Sequence, residues 1–163
     1  MRRYLDSFCA EQPGRTWIEA GAAAEPGELS LSLWGDMVGS SFLAEEGHPR
    51  RTVPVITIDS IIDEGVMTVP DLAKLDVQGF ELEVLKGATK LFGRTELFIL
   101  ETSFYRTLPD QPLVDEVIDF MTSRGYRIYD VAGYLRRPSD GAVAQIDLCF
   151  APEDGVLRSS DKW

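Results

Sequence analysis

From about residue 71 onward, the apolar positions switch repeatedly between a spacing of two and a spacing of three to four. That alternation of strand and helix patterns predicts an α/β fold with a mostly parallel sheet, because each parallel crossover supplies a helix that covers a sheet face. Ala73, Leu75 and Val77 alternate with Lys74 and Asp76 as a strand. Leu82, Val84, Leu85, Ala88, Leu91 and Phe92 then form the apolar side of a helix whose acids, Glu81 and Glu83, come first and whose lysines, Lys86 and Lys90, come last, in keeping with the helix dipole. Gly87 inside this helix costs about 1 kcal/mol relative to Ala, so it reads either as close helix-to-sheet packing or as a tolerated weakness. Glu96 to Leu100 is a compact strand ending in Glu101. Asp110 to Pro112 opens a second helix, Leu113, Val114, Val117, Ile118 and Met121 are its buried stripe, and Gly125 stops it. Tyr126 to Val131, a turn at Asp140-Gly141, and Ala144 to Phe150 predict a terminal antiparallel hairpin.

The upstream part reads as β-rich. Residues 17–20 are a short strand candidate, and Leu29, Leu31 and Leu33 alternate with Ser30, Ser32 and Trp34 as a half-buried strand. Gly35 to Arg51 has loop composition, and Thr52 to Ile58 reads as a further strand, in which Pro54 favours an edge position because it cannot donate to a ladder.

With 163 residues the chain is expected to be one domain, and 44% hydrophobic residues are enough to build its core. A net charge of -11 repels phosphate backbones and anionic headgroups, so neither nucleic acid nor a membrane is an expected partner. Met1-Arg2-Arg3 leads into Tyr4-Leu5-Asp6-Ser7 rather than an apolar stretch, and the reading is cytoplasmic. Cys9 and Cys149 lie far apart without metal or redox spacing and read as buried thiols.

Several catalytic templates fail on inspection. No two glycines are separated by a single residue, there is no Gly-Lys-Ser or Gly-Lys-Thr, and Met37 occupies the nucleophile position between Gly35 and Gly39. The single histidine, His48, sits in a polar loop and reads as solvated. What remains is Leu72 to Glu81, where polar groups gather at the carboxyl end of a strand, the end at which open α/β sheets bind ligands. Lys74 and Asp76 point the same way, either as a buried ion pair or as a charged site lining a cleft. Gly79 permits a tight turn, and Glu81 gives the following helix a favourable first charge.

Residues 74–88, Lys-Leu-Asp-Val-Gln-Gly-Phe-Glu-Leu-Glu-Val-Leu-Lys-Gly-Ala, closely resemble the signature of the FkbM-type S-adenosylmethionine-dependent methyltransferases. Thr57-Ile58-Asp59-Ser60-Ile61, Ile99-Leu100-Glu101 and Gln145 to Phe150 are similar to flanking segments of that family, as are Gly27 to Leu33 and Gly39-Ser40-Ser41, so the resemblance spans about 16 to 151. Two departures stand out. Gln78 occupies a position where many members have glutamate, and the family's Asp-x-Gly-Ala-Asn-x-Gly-like loop and its Glu-Pro strand end are absent, Glu25-Pro26 reading as a turn.

The resemblance implies a Rossmann-like class I methyltransferase sheet, N-terminally incomplete, in a single partial domain over 1–163, with an N-terminal helix remnant at 1–15 and a flexible tail at 154–163. It implies S-adenosylmethionine as cofactor and O-methylation of a hydroxyl on a sugar, glycan or natural product. Asp76 is then the residue to contact or deprotonate the acceptor, with Lys74, Gln78 and Glu101 orienting it or balancing charge. Glu19 and Ala20, expected at the end of the third family strand, approach the adenine, and Asp76 also borders the cofactor. Asp59, Asp76 and Glu101 would hold a cation only if they converged, and they read instead as paired or solvated, with no metal site. The strand bearing Asp76 is expected to expose an edge and so to favour a homodimer. The alternative is an inactive methyltransferase remnant or pseudoenzyme that works through protein contacts.

Overall fold

The alternation after residue 71 folds, in a computed structural model that describes residues 2–11, 14–35, 39–43, 47–160 and 162, into a four-stranded sheet. Parts of the segments read as N-terminal helix, loop and tail, namely Met1, Gln12, Pro13, 36–38, 44–46, Asp161 and Trp163, lie outside the described residues. In chain order the elements are α1 (Arg2–Ala10), β1 (Gly21–Ala22), β2 (Gly27–Ser32), β3 (Arg50–Ile56), α2 (Ile58–Asp63), β4 (Leu72–Leu75), α3 (Glu81–Lys86), β5 (Leu97–Ser103), α4 (Val114–Thr122), β6 (Tyr126–Arg136) and β7 (Val143–Pro152). The larger sheet has the order β4-β5-β7-β6 and is mixed, not mostly parallel as the alternation predicts: β4 and β5 are parallel, but β7 follows β6 without a helical crossover and runs antiparallel to both β5 and β6. The smaller sheet has the order β1-β3-β2.

Its core forms where α3 and α4 cover the larger sheet. Leu85, Phe98, Leu100, Met121 and Phe150 are fully buried, and Val84, Leu91, Val117 and Leu148 pack with them. Tyr126 belongs to this cluster, its ring 5.1 Å from Phe98 in an edge-to-face arrangement. Its hydroxyl donates to the Thr95 carbonyl at 2.8 Å and accepts the Gly93 N–H at 3.0 Å, so the polar end of a buried side chain is satisfied.

Several boundaries differ from the sequence reading, each for a local reason. Residues 17–20 do not form a strand; pairing begins at Gly21 opposite Val55, where a Cβ would come within 2.5 Å of the Phe42 ring and push it aside. Thr57 ends β3, its hydroxyl accepting the Ser60 N–H at 3.0 Å as the cap of α2. Pro54 lies in the central strand of the smaller sheet, not at an edge, yet β1 reaches only Val55 and Ile56, so Pro54 faces the single partner Glu28. The helix read over 81–92 breaks at Gly87, whose carbonyl accepts the Asp59 N–H at 2.9 Å instead of continuing the helical ladder. A Cβ there would sit 2.1 Å from the Ala23 carbonyl oxygen, so the close-packing reading of this glycine is the correct one. Helix α4 starts at Val114, with Pro112 before it, because the buried Gln111 side chain is engaged with the preceding loop. Cys149 is buried and Cys9 only half-buried. Within 154–163, Val156–Arg158 forms a 3₁₀ turn and Arg158 donates to the Ile128 carbonyl at 2.8 Å.

Candidate active site

Strand β4 ends at Leu75, and the next five residues reverse the chain into α3. Gln78 and Gly79 both adopt positive φ, 52° and 88°, and the Phe80 N–H reaches back to the Val77 carbonyl at 3.4 Å. Two successive left-handed residues inside a four-residue reversal make a type I′ turn. Gly79 meets this demand at no steric cost, and a Cβ at that position would also crowd Leu43 at 2.8 Å. Gln78 adopts the same region against its preference, and three contacts hold it there. Its carbonyl accepts the Ser41 hydroxyl at 2.7 Å, and its side-chain amide donates to Asp76 and to Glu101, both at 3.0 Å. From the opposite side the buried Glu81 carboxylate accepts the Val77 and Gly79 N–H groups at 3.1 and 3.3 Å. Glu81 therefore does more than favour the helix dipole: it clamps the turn that precedes its own helix.

The structure brings Lys74, Asp76, Gln78 and Glu101 together. Lys74 Nζ lies 2.8 Å from Asp76 Oδ2 with both side chains nearly half exposed, so the pair stands at the mouth of a site rather than in the core. That bond raises the Lys74 pKa. Glu101 is pushed up to about 7, first by burial and then by the neighbouring carboxylates of Asp76, Glu81 and Asp147, with Lys74 opposing. Asp147 arrives from β7, directly opposite Glu101 in the ladder. A carboxyl group that titrates near neutrality, among fixed charges at a strand end, is suited to take and return a proton.

Glu19 and Ala20 sit elsewhere. They precede β1 and line a separate cavity of about 520 Å³ with Thr52 and Phe42, where Glu19 accepts from Arg2 Nε at 2.8 Å. Asp59 likewise does not converge with Asp76 and Glu101; its carboxylate accepts the Thr89 and Lys90 N–H groups, each at 2.9 Å. Among the described residues no cluster of three or more His, Cys, Asp or Glu is arranged to hold a metal ion. His48 is partly covered rather than freely solvated: its ring stacks on Trp34 with centroids 5.0 Å apart, and Nδ1 lies 3.3 Å from the Leu33 carbonyl.

Two contributors escaped the sequence reading. Asp147 is a lone acid in an apolar strand, the same signal that singled out Lys74, and could have been found by it. Gln111 gave no such signal. Its carbonyl oxygen accepts the Thr107 and Leu108 N–H groups at 2.9 and 3.2 Å while its amide donates to Ser103 at 2.9 Å, shaping the loop after β5 through contacts that no spacing reveals.

A family model described as the methyltransferase FkbM domain matches residues 17–128, a span that contains the turn and three of its four carboxylates. The chain belongs to the FkbM methyltransferase domain family. A hexuronic acid methyltransferase, AglP of Haloferax volcanii, is 38% identical to this FkbM domain over 63 residues, 39% of this chain and 26% of that protein. The chain thus spans about a quarter of the relative it matches. No solved structure matches it. The family match ends before most of β6 and all of β7, so Asp147 is supplied to the FkbM site from outside the matched residues. No helix among the described residues is long and apolar enough to cross a membrane.

Proposed function

We propose that this FkbM domain carries the acceptor side of an S-adenosylmethionine-dependent O-methyltransferase, built on a Rossmann-like sheet, with Glu101 as the base and a sugar hydroxyl as the acceptor. The observation that carries this reading is the Glu101 carboxyl, pushed up to about 7 in the polar cluster at the ends of β4 and β5. Parallel β4 and β5, followed by antiparallel β7, support the sheet assignment. The similarity to AglP, a hexuronic acid methyltransferase, supports a sugar acceptor of acidic type.

The donor set fits the reacting end of the cofactor: partly exposed carboxylates attract a sulfonium cation and accept a hydroxyl proton. It fits the nucleoside end less well, since Glu19 is ion-paired with Arg2 and half exposed. S-adenosylmethionine, when bound, supplies an electrophilic methyl group. Glu101 accepts the acceptor's hydroxyl proton, and Gln78 fixes the carboxylate's direction through its amide. Asp76, tied to Lys74 and Gln78, stands beside Glu101 and helps to orient the reacting hydroxyl.

Methyl transfer to a hexuronic acid glycoside should therefore rise with pH through about 7, and Glu101→Gln should lower it by roughly 10²- to 10⁴-fold and flatten the profile. Full activity in a folded Glu101→Gln variant would overturn the assignment. If folded parent protein shows no transfer, and calorimetry finds no S-adenosylmethionine binding, the pseudoenzyme reading replaces it.

A further inference from the structure

The sheet register places a second row of side chains next to the acidic one. Gly133 on β6, Asp147 on β7 and Glu101 on β5 face one another across three strands, and two residues along each strand Leu135, Gln145 and Ser103 do the same. Side chains two apart on a strand leave the same face, so both rows share one face of the sheet and stand about 7 Å apart at the usual strand rise. The second row borders a cavity of about 770 Å³, which Gln78 joins to the Asp76 and Glu101 carboxylates.

Most of the polar side chains around this cavity already have partners. The Ser103 hydroxyl accepts from the Gln111 amide, the Thr107 hydroxyl donates to the Gln111 carbonyl oxygen, both at 2.9 Å, and Arg106 and Arg137 are paired with Glu116 and Asp140. Arg136 turns away to the Gly141 carbonyl and the Tyr134 ring. Apolar surface is what the remaining wall offers. Leu135 is 59% exposed, Trp34 39% and Tyr105 38%, and these three side chains from distant segments meet around the one cavity. The Arg137 guanidinium, 3.9 Å from the centre of the Tyr105 ring, fixes that ring in the wall. Large apolar side chains left open together mark a ligand groove, and the volume exceeds what one sugar ring needs. A second sugar would bring hydroxyls to a wall whose polar groups are engaged, and each unpaired hydroxyl would weaken binding. A flat ring covers the same surface and meets the Trp34 and Tyr105 rings in kind. We infer that the acceptor is an aryl glycoside, its sugar at Gln78 and Gln145 and its aromatic group against Leu135, Trp34 and Tyr105. The inference rests on the methyltransferase reading and extends it to the group that the sugar carries, and Leu135 lies beyond the residues that the family model matches.

Calorimetry on the full chain without cofactor tests it, using phenyl, hexyl and methyl glucuronides. The phenyl glycoside should bind at least tenfold more tightly than the methyl glycoside. Leu135→Asn and Tyr105→Ser should each lower that preference, whereas Val131→Ser, exposed on the same strand as Leu135 but outside the cavity, should leave it unchanged. Circular dichroism on each variant checks the fold. Equal binding of the phenyl and methyl glycosides, binding of neither, or an undiminished preference in either folded cavity variant would overturn the inference. So would hexyl glucuronide binding as tightly as the phenyl glycoside with the same dependence on both side chains, which would assign the cleft to an aliphatic chain. Because no methyl donor is present, selective binding with failed methyl transfer would leave the cleft standing and remove only the enzymatic reading.

Discussion

Glu101 joins stability to chemistry at the level of one carboxyl group. Its folded pKa, about 7, lies above its ordinary value of 4.5, so the folded state holds the proton more tightly. The stabilisation this provides is complete below about pH 4.5 and is lost as pH rises through about 7. Glu101→Gln should therefore stabilise the fold at pH 8, by on the order of 1 to 2 kcal/mol after allowance for solvent screening of a half-buried group, and change little at pH 4. Urea denaturation at the two pH values checks this, and equal effects at both would contradict it. Gln78 supplies a second case. Gln78→Gly relieves about 1 kcal/mol of left-handed strain but removes the amide shared by Asp76 and Glu101. Stability should stay within about 1 kcal/mol of the parent while the midpoint of the pH–rate profile moves upward. Lys74 and Asp76 stand out in the sequence as charged groups at a strand end, with an ion pair as the competing reading, and the family resemblance adds roles for Gln78 and Glu101. Asp147 is as legible, a lone acid in an apolar strand, whereas Gln111 is not, since its role comes from hydrogen bonds to the loop three to eight residues before it, which no spacing announces.

At the scale of elements, periodicity located the strands and helices well and their ends poorly. The 81–92 pattern is apolar at helical spacing throughout, yet the helix stops where a tertiary donor, the Asp59 N–H, takes the Gly87 carbonyl. The Asp59 carboxylate then accepts the N–H groups of Thr89 and Lys90, turning the rest of the pattern into a 3₁₀ turn, Thr89–Leu91. A local pattern holds no record of such a competitor. Gly87→Ala forces a Cβ against the Ala23 carbonyl, which is backbone and cannot swing away, and should cost at least about 2 kcal/mol in urea denaturation. A loss below about 0.5 kcal/mol would show that the segment after β1 shifts freely and that the two sheets are not locked together here.

Across the whole molecule, the outer strands of the larger sheet differ in how they meet a neighbour. Strand β4 is four residues long and carries Lys74, features that blunt an edge, whereas β6 spans eleven and exposes Val131, Tyr134 and Leu135. Self-association through β6 is opposed by the net charge of -11 on each copy, and salt screens that repulsion. Light scattering at tens of micromolar should show dimers in 0.5 M salt and fewer in 0.05 M, and Leu135→Lys should suppress them; a monomer at both concentrations would rule this out. A cavity of about 770 Å³ opens beside Gln78 and has its own consequence at this scale. One wall is the loop closed by Gln111, and another is the turn closed by the Asp140 carboxylate, which accepts the Ala142 N–H at 3.0 Å. Each wall is held by its own bonds and neither borrows from the Gln78 cluster. Substitutions in either wall can thus reshape the cavity while the bonds of the Gln78 cluster stay as they are.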